Sequence, residues 1–200
     1  MKLNKLFACS LIALAGALPA IGQTTDSDNI NVTAVFKTVI DLNVTSGANI
    51  TFTVQTLDQY TNGLSDPTAY QSTFDVSSSV NFQVSLSATN FTDANGNTLN
   101  ANNFGYTLTD AGTYTAGTNH LLLGGSASPS PMALLGTTST IVAATGSGNA
   151  GPASANAYDI DFELGTANVR ALSGLPTLLA QNIAPSTYTS VVTLTASAMP

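Results

Sequence analysis

Val80-Asn81-Phe82-Gln83-Val84-Ser85-Leu86-Ser87-Ala88 sets an apolar side chain on every even position and a polar one on every odd position. Neighbouring residues of an extended chain point to opposite faces, so the stretch reads as a strand with one face against a core and the other in water. The same period surrounds it. On the C-terminal side Asn95-Gly96, a pair that suits a type I′ hairpin turn, leads through Thr98-Leu99 to Phe104, Tyr106 and Leu108. On the N-terminal side Ile50, Phe52 and Val54 alternate with Thr51, Thr53 and Gln55 across 49–57, while 58–72 gathers the turn pairs Asn62-Gly63 and Asp66-Pro67. Farther on, Tyr158, Ile160, Phe162 and Leu164 alternate with Asp159, Asp161 and Glu163, and 188–198 closes the chain with Val192, Leu194 and Ala196 on one side. Between these, 110–151 is rich in Gly, Ala, Ser and Thr. Its apolar runs at 120–123, 132–135 and 140–144 read as short strands, 147–156 as an exposed loop, and 175–181 as a short helical turn behind Pro176.

No segment sustains a helical period and no strand–helix–strand rhythm is present. About seven to nine short strands separated by turns predict an all-β fold, an antiparallel two-sheet immunoglobulin-like sandwich. A transmembrane barrel shares the alternation but needs aromatic girdles at both strand ends, and the six Tyr and eight Phe are scattered singly.

One alternating segment is too long for an ordinary strand. Ile30, Val32, Ala34, Phe36, Ile40, Leu42 and Val44 all fall on even numbers, with Thr38 the only interruption. Extended, 30–44 spans about 50 Å. Either it crosses from one sheet to the other or its first half pairs with something else. Ile30, Val32, Ala34, Phe36, Ile40 and Leu42 are therefore a candidate assembly strand, able to complete a neighbour's sheet edge by β-augmentation.

Composition bounds the role. Met1-Lys2-Leu3-Asn4-Lys5, an uncharged apolar run over 6–18 and the small-x-small triplet Ala20-Ile21-Gly22 form the layout of a secretory signal over 1–22, leaving 23–200 as a single β-sandwich domain. That domain keeps Lys37 and Arg170 as its only bases against eleven acids, a net charge of −9. Such a surface disfavours nucleic acid and anionic membranes. Cys9, the one cysteine, leaves with the signal, so no disulfide holds the secreted chain. No apolar stretch long enough to span a membrane follows the signal.

Few residues carry chemistry. Asp159, Asp161 and Glu163 share one strand face at intervals of about 7 Å, and Asp93-Ala94-Asn95-Gly96-Asn97 alternates oxygen donors through Asp93, Asn95 and Asn97. Calcium is the ion that such oxygen sets take. Yet a straight strand does not wrap an ion, the loop glycine stands fourth rather than sixth, and solvation and turn chemistry explain both groups without a cofactor. His120 is the only imidazole, and Gly124-Gly125-Ser126-Ala127-Ser128 lacks the G-x-S-x-G elbow. It reads as a strand-edge residue, and no catalysis is expected.

The closing stretch Ile183-Ala184-Pro185-Ser186-Thr187-Tyr188-Thr189-Ser190-Val191-Val192-Thr193-Leu194-Thr195 resembles the last strand of bacterial secreted immunoglobulin-like modules, the spore-coat-U-type and other pilin-like proteins. The resemblance covers about 15 residues and implies a sandwich and an extracellular structural or fibre-forming role. The secreted part lacks the cysteine pair common in that group, and Ser186 stands where the group favours glycine. The expected function is a secreted bacterial cell-surface structural or adhesive protein, periplasmic or extracellular, that associates with itself or with other surface proteins through strand edges. The alternative is a monomeric binding module for glycan or protein, assisted by calcium, using loops such as 58–72 and 147–156.

Overall fold

The computed structural model describes residues 33–123, 133–136 and 139–199. The chain divides after Phe36. In the first unit, 33–36 belong to no strand and are exposed, Val35 at 76% and Phe36 at 94%. Ile30, Val32 and the expected signal lie outside the described residues.

The second unit is built of strands. In chain order they are β1 (Ile40–Ser46), β2 (Leu64–Ser65), β3 (Gln71–Ser78), β4 (Phe82–Ala88), β5 (Phe91–Thr92) and β6 (Thr98–Leu99). These are followed by β7 (Phe104–Asp110), β8 (His120–Leu122), β9 (Ala133–Leu134), β10 (Ser139–Ala144), β11 (Ala157–Leu164) and β12 (Val192–Ala198). One sheet runs β1-β3-β11-β7-β9, with β2 also paired to β11; the other runs β12-β4-β10-β8; β5 and β6 form a ribbon. Every pairing between these strands is antiparallel.

The period-two pattern is the cause of this arrangement. Phe74 and Val76 of β3, Tyr106 and Leu108 of β7, and Tyr158, Ile160 and Phe162 of β11 form one inner face, and Phe82, Val84 and Leu86 of β4 with Ile141 and Val142 of β10 supply the other. All join a single core. A register shift between Thr140 and Val142 lets the consecutive Ile141 and Val142 both reach the interior.

The spatial order β1-β3-β11-β7 matches the A-B-E-D sheet of immunoglobulin-like sandwiches, and the pair β12-β4 matches F-C. In the complete arrangement a seventh strand lies on the far side of F. Among the described residues no strand pairs with that edge of β12.

Several local outcomes differ from the sequence reading. The long alternating segment enters a ladder only at Ile40. Its partner β3 ends at Ser78, and the last contacts there are Val39 N–H to Ser79 Oγ and Ser79 N–H to the Val39 carbonyl, both 3.0 Å. Ile40 and Leu42 thus belong to β1, opposite Ser78 and Val76. The 49–57 stretch alternates as expected but joins no sheet. Gly47 turns the chain away at φ +65°, lying so close on β3 that a Cβ would sit 2.0 Å from the Gln71 carbonyl oxygen. The interval 58–72 holds a helix, α1 (Leu57–Asn62), started by a reciprocal cap between Thr56 and Gln59. A second helix, α2 (Ala167–Ser173), runs from the Thr166 cap to Gly174, which is left-handed at φ +69°.

The stretch 147–156 is not an exposed loop throughout. Asn149 and Asn156 are fully buried. Asn149 Oδ1 accepts from Phe82 N–H at 2.9 Å and its Nδ2 donates to the Phe82 carbonyl at 3.0 Å, so one side chain acts as a ladder partner for the first residue of β4. Asn156 Nδ2 donates in turn to the Asn149 carbonyl at 3.0 Å.

Candidate functional site

An open apolar cleft of about 380 Å³ lies between 50–54 and 183–189. One wall is 50–54, where Ile50, Phe52 and Val54 pack on the core while Thr51 and Thr53 face outward. The other wall is 183–189, the approach to β12, and Leu99, Phe104 and Leu164 also line the space. Phe52 stacks on Tyr70 at 4.0 Å and meets Phe104 edge-on at 5.6 Å; Phe104 stacks in turn on Phe91 at 4.1 Å. These rings fix the wall from inside. Laterally it is unsupported: no backbone N–H or carbonyl from Ile50 to Val54 has a hydrogen-bond partner among the described residues. An extended, alternately buried segment with free backbone groups is a strand without a neighbour.

The acidic row on β11 does not converge. Asp159 Oδ1 accepts from Thr73 Oγ1 at 2.7 Å, Asp161 Oδ1 from Gln71 Nε2 at 2.9 Å, and Glu163 Oε2 from Thr166 Oγ1 at 2.5 Å. Each carboxylate is tied to its own polar neighbour on the outer face. The loop donors also turn inward. Asp93 Oδ1 accepts from the backbone N–H groups of Asn95 (2.9 Å) and Asn97 (2.7 Å), and its Oδ2 accepts from Asn97 Nδ2 at 2.8 Å. Among the described residues no three His, Cys, Asp or Glu side chains are grouped so as to hold a metal ion.

The Asn97 amide, aided by Ser186 and the two backbone donors and opposed by desolvation, holds the Asp93 carboxyl down at about 2. Its folded value lies below the ordinary 3.8. The stabilisation is therefore complete above the ordinary value and is lost as pH falls through the folded one. Asp93→Asn is expected to melt below the natural protein at pH 7, with the gap closing between about pH 4 and pH 2. Scanning calorimetry of the pair across that range checks the sign; a gap that persists at about pH 2 contradicts it.

His120 lies on the edge strand β8 but is fully buried. Its Nε2 donates to Asp110 Oδ1 at 2.6 Å, while Asp110 Oδ2 accepts from Ala116 N–H at 2.9 Å. The ring meets Tyr158 edge-on at 5.3 Å, and Nδ1 has no partner among the described residues. Burial, then the Asp110 charge, pushes the Tyr158 hydroxyl well above the usual phenol range. The group joins β7, β8 and β11 and ties down the 111–119 turn.

A second, polar cleft of about 400 Å³ adjoins the first, sharing Leu99, Ile183, Ala184 and Tyr188 with it. Its other walls are Thr98 and five carboxamides. The pattern missed in the sequence is this scatter of asparagines at turn positions, each of which reads locally as turn chemistry.

Compared with known proteins, the chain matches no family model and no curated sequence. Among the described residues no helix is long and apolar enough to cross a membrane.

Proposed function

We propose that the protein is a secreted bacterial cell-surface subunit, structural or adhesive, that assembles by strand addition and performs no catalysis. The observation that carries this reading is an unpaired strand edge: among the described residues no strand pairs with the outer side of β12, and the 50–54 wall of the apolar cleft has backbone groups without partners. The proposed occupant is 28–36 of a second copy. In an extended strand Ile30, Val32, Ala34 and Phe36 would repeat at about 7 Å, the alternation with which Ile50, Phe52 and Val54 pack on the core. Such an addition draws affinity from a backbone ladder and specificity from alternate side chains. Ile40 and Leu42 are committed to β1 and take no part in it.

The test compares the purified 23–200 chain with one lacking 23–36. The longer chain is expected to form oligomers or filaments in sedimentation and electron microscopy, and the shorter one to remain a single particle. Identical sedimentation of the two would falsify the reading.

A further inference from the structure

We infer that the polar cleft is a binding site for a neutral, hydroxyl-rich ligand, a saccharide. The walls hold five carboxamides, Asn90, Asn97, Asn100, Gln181 and Asn182, and no Asp, Glu, Lys, Arg or His. A sugar hydroxyl both donates and accepts, and a carboxamide answers both roles, whereas a lining without ions gives a charged ligand nothing to pair with. The volume of about 400 Å³ falls within the range of small-molecule sites.

The amides are set before any ligand arrives. Asn90 Oδ1 is committed to Ala101 N–H at 3.0 Å and Asn100 Oδ1 to Asn102 N–H at 2.8 Å, while Asn97 Nδ2 is committed to Asp93 Oδ2 at 2.8 Å. The opposite ends, Asn90 Nδ2, Asn100 Nδ2 and Asn97 Oδ1, have no partner among the described residues. Two donors and one acceptor are thereby left over on side chains already fixed, so little rotamer entropy remains to be lost on binding. Gln181 is locked by a reciprocal pair with Asn103, at 3.1 and 2.7 Å. Asn182 is held in the left-handed conformation, at φ 50°, as the cap that ends the short 3-10 turn Leu179–Gln181. Tyr188 supplies the apolar element. Its hydroxyl donates to the Ala184 carbonyl at 2.9 Å, which anchors the ring and leaves an aromatic surface for sugar C–H groups.

Saturation-transfer difference NMR reads this directly and works for single particles and assemblies alike. Cellobiose and N,N′-diacetylchitobiose are expected to take up saturation from the purified protein, and galacturonate is not. Tyr188→Ala should lower the disaccharide signal by about fivefold, in line with the loss of one aromatic contact. Asn182→Gly keeps the positive φ without steric cost and removes one amide, so it should weaken the signal by about two- to fivefold in a protein of unchanged circular dichroism. Absence of transfer to both neutral disaccharides, equal transfer in Asn182→Gly, or equally strong transfer to galacturonate would each overturn the assignment.

Discussion

Phe74→Ala is expected to lower folding stability by about 3–5 kcal/mol. Phe74 is fully buried in β3, with Val44 of β1 opposite on one side and Tyr158 of β11 on the other. Its ring stacks on Tyr158 at 5.0 Å. The truncation removes apolar area from the interior and leaves a void between the two sheets that neighbouring β-branched and aromatic side chains cannot fill without leaving their rotamers. The described body carries no cysteine, so nothing covalent offsets the loss against a typical total of about 5–15 kcal/mol. Urea denaturation checks it: the midpoint should fall with an unchanged slope, and a shift worth less than about 1 kcal/mol would mean that the ring is not part of a packed interior.

Asn149→Ala is expected to cost about 2–5 kcal/mol although it removes no apolar contact. The mutant leaves both the N–H and the carbonyl of Phe82 buried without a partner, each at about 1–3 kcal/mol. The relay to Asn156 would loosen too, since Asn156 Nδ2 takes its acceptor from the Asn149 backbone. Hydrogen exchange distinguishes this mechanism from a general loss of stability. The Phe82 amide should exchange far faster in the mutant under conditions where the Leu86 amide remains protected.

These two positions also mark what was legible in the sequence. β4 and β11 declare themselves because each runs through a full strand of strict alternation: Phe82, Val84 and Leu86 in one, Tyr158, Ile160, Phe162 and Leu164 in the other. Phe74 and Val76 obey the same rule in β3, yet serines at 72 and 78 occupy the remaining inward positions, so the apolar signal falls to two residues. Burial of Ser72 and Ser78 is made tolerable by bonds to the backbone, from Ser72 Oγ to the Ser46 carbonyl and from Ser78 Oγ to the Val80 carbonyl, which no local pattern foretells. The helices α1 and α2 have six and seven residues, too few for a 3.6-residue period to emerge, and only their Thr56 and Thr166 caps betray them. The clefts were the least legible part. The alternation at 50–54 was visible, but its lack of a partner is a property of the whole topology, and the amide cleft joins residues almost a hundred positions apart.

The scarcity of bases has a practical corollary. After residue 22, trypsin has two bonds to recognise, those following Lys37 and Arg170. Arg170 is held inside α2 with its guanidinium bonded to the Thr61 and Gly165 carbonyls, whereas Lys37 is exposed and outside any strand. One enzyme of everyday use thus separates the leading segment from the intact sandwich in a single cut, made two residues before the first strand begins.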